Sequence, residues 1–264
     1  MNELRRQFPI LASRVRGGKP LVYLDSAATT QKPESVLAAM DRYYRESNAN
    51  IHRGVHYLSE KATLEFETAR KRVARFFGAT DPRGVVFTRG TTESINLVAG
   101  SLRNAGKLGR GDCVVLSQME HHSNIVPWQL LCEATGAQLK VVPITQAGEL
   151  DLDAYRAFLA AGNVRIVAVT HVSNALGTVN PVQEIVALAR KNGALTLVDG
   201  AQAVLHMPVD FAPLDCDFYA FSGHKIYGPT GVGVLLARPS VLEKLPPWQG
   251  GGDMIHTVTF EKST

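Results

Sequence analysis

Six short apolar runs recur along the chain: GVVFT (84–88), CVVLS (113–117), VRIVAVTHV (164–172), ALTLVDG (194–200), DFYAFSG (217–223) and GVGVLLAR (231–238). Each is apolar almost without interruption. An alternating strand can leave one face in water, whereas a continuous apolar one must be covered on both faces, as in a mostly parallel sheet. The intervening stretches carry helical spacing. Between Ser59 and Phe77, the residues Ala62, Phe66, Ala69, Val73, Phe76 and Phe77 fall three or four apart, with Ser59 as expected N-cap and Gly78 as C-cap. Pro181 to Asn192 reads as a second helix, opened by proline and closed by Gly193, and a further helix is expected near 34–47. The alternation predicts an α/β fold: a mostly parallel central sheet with helices on both faces and ligand chemistry at the carboxyl ends of the strands. Residues 1–50 read as an N-terminal segment leading into the fold, and 51–264 as the ligand-binding large domain.

Composition narrows the class. With 264 residues, 45% of them hydrophobic, the chain can bury a core without disulfide or metal staples. Lys+Arg 28 against Asp+Glu 24 leaves a net +4 spread along the length, so no nucleic-acid partner is expected. Cys113, Cys132 and Cys216 lie far apart in apolar surroundings and read as buried hydrophobes. His121-His122 lacks the spacing of a helical zinc pair, so no metal is expected. The N-terminus has no apolar signal region and no run approaches the ~20 residues of a membrane span. A cytoplasmic protein without a membrane partner is the expectation.

Lys225, in FYAFSGHKIYGPTGVG, follows a strand-like run and sits in a glycine-dense turn where backbone can approach a ligand. Such a lysine, if desolvated, becomes a Schiff-base nucleophile; in an ordinary tight loop it has no such role. Asp199 ends the run ALTLV, where a carboxylate serves either as a helix N-cap or as a ligand group. An Asp at one strand end and a Lys beyond the next strand together fit pyridoxal 5'-phosphate, with the carboxylate on the pyridine nitrogen and the lysine at C4′. Arg89-Gly90-Thr91-Thr92-Glu93 follows GVVFT and opens a helix-like run, a ready phosphate site, although Gly-Thr-Thr also caps helices without a ligand. Ser222 and His224 could add phosphate contacts. His122, after CVVLS, could stack on a flat cofactor.

With these residues in place, the chain resembles the SufS/CsdA-type (class II) cysteine desulfurases, pyridoxal-phosphate enzymes of aminotransferase fold type I. The motifs are YLDSAATTQKP (23–33), NANIHRGVHYLS (48–59), TRGTTESINLVA (88–99), MEHHSNIVPW (119–128), HVSNALGT (171–178), VDGAQ (198–202) and FYAFSGHKIYGPTGVGVL (218–235). The resemblance implies Lys225 as the cofactor-bearing lysine and Asp199 on the pyridinium. It implies His122 on the ring as a proton shuttle, Asn174 and Gln202 on the phenolic oxygen, and Thr91, Thr92, Ser222 and His224 on the phosphate. His52-Arg53 lies in a motif near that site. The implied reaction takes L-cysteine, with L-selenocysteine as an alternative substrate, to L-alanine, leaving enzyme-bound persulfide sulfur for a SufE-type acceptor and iron–sulfur cluster assembly. The full-length form is implied to be a homodimer.

In that family the catalytic cysteine and the substrate-binding arginine lie in a C-terminal small domain. The sequence ends at Glu261-Lys262-Ser263-Thr264, shortly after Gly250-Gly251-Gly252. The expectation is a chain truncated before that domain, with no turnover of its own. An inactive cofactor-binding fragment or partner-binding remnant is the competing reading.

Overall fold

The computed structural model describes residues 2–252 and 254–262. Seven strands form one sheet: β1 (Val85–Thr88), β2 (Cys113–Ser117), β3 (Gln138–Val142), β4 (Val164–Thr170), β5 (Leu195–Asp199), β6 (Phe218–Ser222) and β7 (Gly233–Ala237). Their order across the sheet is β1-β7-β6-β5-β4-β2-β3. Pairing is parallel from β6 through β3, and β7 runs antiparallel to both β6 and β1. One reversed strand in seven leaves the mostly parallel expectation intact.

The continuous apolar runs bury both faces. Val115, Val167, Val198, Tyr219 and Leu236 point into one core, and Leu116, Ala168, Leu197, Ala220 and Leu235 into the other. Among the described residues, six helices have nine or more residues: α1 (Glu34–Glu46), α2 (Tyr57–Phe76), α3 (Thr91–Asn104), α4 (Val126–Thr135), α5 (Leu152–Ala160) and α6 (Val182–Lys191). α5 and α6 close the first core with Tyr155, Leu159, Ile185 and Val186; α3 and α4 close the second with Ile95, Val98, Leu102 and Trp128. Burying each such side chain contributes about 1.5–3 kcal/mol.

Local differences from the sequence reading have physical reasons. Ser59 is not the N-cap of its helix: α2 starts two residues earlier, His56 takes the cap by accepting from the Ser59 N–H, and the Ser59 hydroxyl donates to the Asn50 carbonyl at 2.6 Å. Phe76 is 70% exposed while Phe77 is buried, because the helix ends at Phe76 and the chain turns inward. Strand β3 lies outside the expected set, since Gln138 and Lys140 interrupt its apolar run and Gln138 and Val141 stay exposed.

The register places the carboxyl ends of the parallel strands along one edge. Thr170 pairs with Asp199, and Ser222 with Gly233 at the amino end of reversed β7. Thr88 of β1 pairs with the same Gly233.

Candidate cofactor site

Along this edge lies a cavity of about 520 Å³. Asp199, Lys225, Thr91, Thr92, Asn174, Gln202, Ser222 and His224 all line it. The sheet register thus gathers eight sequence-predicted residues, drawn from four segments, around one space.

Asp199 closes the floor. It is 3% exposed, and its Oδ1 accepts the Ala201 N–H at 2.9 Å, leaving its other oxygen for a donor in the cavity. Burial raises its pKa; the Ala201 bond and the charges of Lys225 and His121 oppose that rise. Gly200 follows because Tyr219 stands directly behind it: a Cβ there would come within 2.0 Å of the Tyr219 ring.

Lys225 sits in the 3-10 turn Gly223–Lys225 that follows β6. Burial lowers its pKa, and the Asp199 carboxylate partly restores it. A half-buried amine with a depressed pKa spends more of its time neutral, which nucleophilic addition to a carbonyl requires. His224 is also held low, by burial and by the neighbouring charges of Lys225 and Lys32.

The third wall is the start of α3. Gly90 offers no side-chain cap, and the Thr91 N–H and hydroxyl both meet the Ser222 Oγ at 2.8 Å. Thr92 Oγ1 lies 2.7 Å from Ser123 Oγ. A helix N-terminus lined with hydroxyls carries partial positive charge and suits a dianionic phosphate. Backbone crowding fixes its place: a Cβ on Gly233 would lie 2.4 Å from the Gly90 Cα. Arg89 is turned to Glu93, at 2.6 Å, and does not line the cavity.

The histidines differ from expectation. His121 lines the cavity and acts on Asp199 electrostatically, while His122 is absent from its wall. The reason is local: His121 caps the 3-10 turn His122–Asn124, its Nδ1 accepting from the Ser123 N–H at 3.1 Å, which fixes the His121 ring. Gln202 donates from Nε2 to the Ala27 carbonyl at 2.8 Å. His52 pairs with Glu67 at 3.1 Å and does not line the cavity; Arg53 donates to the Gly252 carbonyl.

Sequence reasoning missed Glu120, Thr170 and the segment around Asp25, Ala27 and Ala28. Glu120 is buried beside the cavity and accepts from Asn124 Nδ2 at 2.7 Å, from the Thr170 N–H at 2.8 Å and from the Ser117 hydroxyl. Its adjacency to the histidine pair was the available signal.

All three cysteines are buried, and burial raises the pKa of Cys132 and Cys216. None has the exposure of a sulfur nucleophile. Among the described residues there is no cluster of three or more metal-ligating side chains, and no helix is long and apolar enough to cross a membrane.

An acidic residue for a ring N–H⁺, a half-buried amine and an anion cradle around one cavity match the donor set of pyridoxal 5'-phosphate. The fold and site define an α/β large domain of the kind that houses such a cofactor. The chain belongs to the aminotransferase class-V family, whose pattern matches residues 22–264. It is 53% identical over its whole length to a cysteine desulfurase of Enterobacter sp. (strain 638), and 51% to one of Escherichia coli (strain K12 / DH10B). It spans 64% of the length of these curated relatives. Among solved structures, the cysteine desulfurase CsdA of Escherichia coli matches with a TM-score of 0.88 at 41% identity, covering 100% of this chain and 64% of that one. The apo cysteine desulfurase of Thermococcus onnurineus NA1 matches with a TM-score of 0.92 at 39% identity, covering 100% and 63%.

Proposed function

We propose that this chain carries the cofactor half of a pyridoxal-phosphate-dependent cysteine desulfurase. The observation that carries the reading is the convergence of Lys225, buried Asp199 and the hydroxyl-lined start of α3 on one cavity. Bound there, pyridoxal 5'-phosphate would supply an aldehyde for an amine and a protonated ring that draws electrons from the substrate's Cα.

The protein's own groups have separable tasks. Asp199 holds a proton at the ring nitrogen, an arrangement strengthened by its burial because charge–charge attraction grows as water is excluded. Thr91, Thr92, Ser222 and His224 hold the phosphate end, and Asn174 and Gln202 stand near the phenolic oxygen. Lys225 supplies the neutral amine and afterwards a base near the substrate Cα. His121, rather than His122, takes the place over the ring face and the proton-shuttling role. L-cysteine as substrate, with L-selenocysteine as an alternative substrate, a SufE-type sulfur acceptor, a homodimeric full-length form and a cytoplasmic site belong to the same proposal. None of the three buried cysteines serves as the persulfide carrier.

The test is spectroscopic. Adding pyridoxal 5'-phosphate to the purified chain should produce a visible band at roughly 410–430 nm. L-cysteine should perturb it faster than D-cysteine does. The Lys225→Ala chain should remain folded and show no band. A band of equal intensity in that variant would remove Lys225 from the role. A wild-type chain that folds without forming the band would favour the non-catalytic reading.

A further inference from the structure

The motif YLDSAATTQKP holds none of the residues assigned to the cofactor, yet its Asp25, Ala27 and Ala28 line the cavity and the next few grip the turn that bears Lys225. Four donors converge on one backbone oxygen, the carbonyl of His224. They are the Thr30 N–H at 2.9 Å, Thr30 Oγ1 at 3.0 Å, Thr29 Oγ1 at 3.1 Å and the Lys32 ammonium at 3.3 Å. Lys32 also donates to the Thr30 carbonyl, which ties the segment to itself. A carbonyl oxygen has two lone pairs, so four donors within reach leave it little freedom, whichever of them bond at a given moment.

A second observation lies on the other side of the lysine. Tyr227 has φ 63°, a left-handed conformation that is strained for a bulky residue and persists only where the surroundings enforce it. Its N–H donates to the same Thr30 Oγ1 at 2.8 Å, and its ring lies 5.7 Å from that of Phe8. The turn is closed internally by the Gly228 N–H to the Gly223 carbonyl at 2.8 Å. Thr30 therefore brackets Lys225, holding the residue before it and the residue two after it.

We propose that Thr30 and Lys32 are positioning residues for Lys225, acting through the His224 carbonyl and the Tyr227 amide. This rests on Lys225 being the cofactor-bearing lysine. A charge-assisted bond is among the stronger ones, and its loss should loosen the turn about tenfold.

The experiment uses Lys32→Met and Thr30→Val, with Lys32→Arg and Thr30→Ser as conservative partners. Hydrogen exchange is measured by mass spectrometry on the chain without cofactor, and pyridoxal 5'-phosphate binding is then followed by the visible band. The expected result is about tenfold faster exchange confined to the peptide covering 223–230 in Lys32→Met and Thr30→Val, with β4 and β5 unchanged. The dissociation constant for the cofactor should rise about tenfold in Lys32→Met, and the conservative variants should restore both readouts. Unchanged exchange in 223–230, or acceleration spread over the whole sheet, would overturn the proposal. Local loosening with unaltered cofactor affinity would overturn it too, since the turn would then be held without positioning the lysine. Should the wild-type chain form no band, the reading of Lys225 fails on its own, while the exchange result still decides whether the segment clamps the turn.

Discussion

Raising the pH from 4.5 to about 8 should remove on the order of 4 kcal/mol of folding free energy through Glu120 alone, and Glu120→Gln should abolish that share of the slope. Glu120 has its pKa pushed up from 4.5 to about 8, first by burial and additionally by the negative charge of Asp199. The bonds from Ser117, Asn124 and Thr170 pull the other way and do not prevail. In the unfolded chain the carboxyl ionises near 4.5, whereas in the folded chain it keeps its proton until about 8. Over that window the folded state binds more protons, so stability falls as pH rises and the loss is complete above about 8. Glutamine cannot ionise, but its amide brings a new mismatch. The Asn124 Nδ2 already donates to Glu120, and the Asn124 Oδ1 is taken by the Trp128 indole N–H at 2.8 Å. The variant should therefore be less stable than wild type at pH 5 and recover relative to it by pH 8. Urea unfolding of both chains at several pH values reads this directly. Parallel stability curves would mean that Glu120 is not held protonated by the fold.

Gly233→Ala should destroy cofactor retention, with a loss of at least ~100-fold in affinity, and should cost about 3 kcal/mol or more of stability. The added Cβ would lie 2.4, 2.7 and 2.8 Å from the Gly90 Cα, N and C. All three are backbone atoms at the start of α3, so relief requires prising β7 away from the anion cradle. Gly100→Ala is the matched control. Its Cβ would also come within 2.5 Å of a neighbour, but that neighbour is the side chain of half-buried Trp248, which can swing aside. Thermal melting and cofactor titration of the two variants should separate sharply. Equal behaviour would mean that the close approach of β7 to Gly90 does not shape the site.

The legible parts of this molecule are those with a one-dimensional signature. Six of seven strands announce themselves as continuous apolar runs because the sheet is covered on both faces. Strand β3, at one edge of the sheet, escaped because Gln138 and Lys140 interrupt its apolar pattern. Lys225, Asp199 and Ser222 were readable because they stand at strand ends, and a parallel sheet brings its strand ends together. Three things were not legible. Which of two adjacent histidines enters the cavity depends on a capping bond within three residues, and periodicity cannot resolve a single step. The grip of Thr29, Thr30 and Lys32 on His224 spans more than 190 positions, and local patterning carries no information about such a contact. Glu120 is a third case, since a carboxylate next to histidines reads as solvated until the fold buries it.

The central claim is that Lys225 is the amine that takes the cofactor. Borohydride reduction of the chain in the presence of pyridoxal 5'-phosphate, followed by digestion and mass spectrometry, tests it most directly. A stoichiometric pyridoxyl mark is expected on the peptide containing Lys225, lost when Asp199→Ala removes the ring's partner at limiting cofactor. A mark scattered over surface lysines, or concentrated on Lys32, would contradict it.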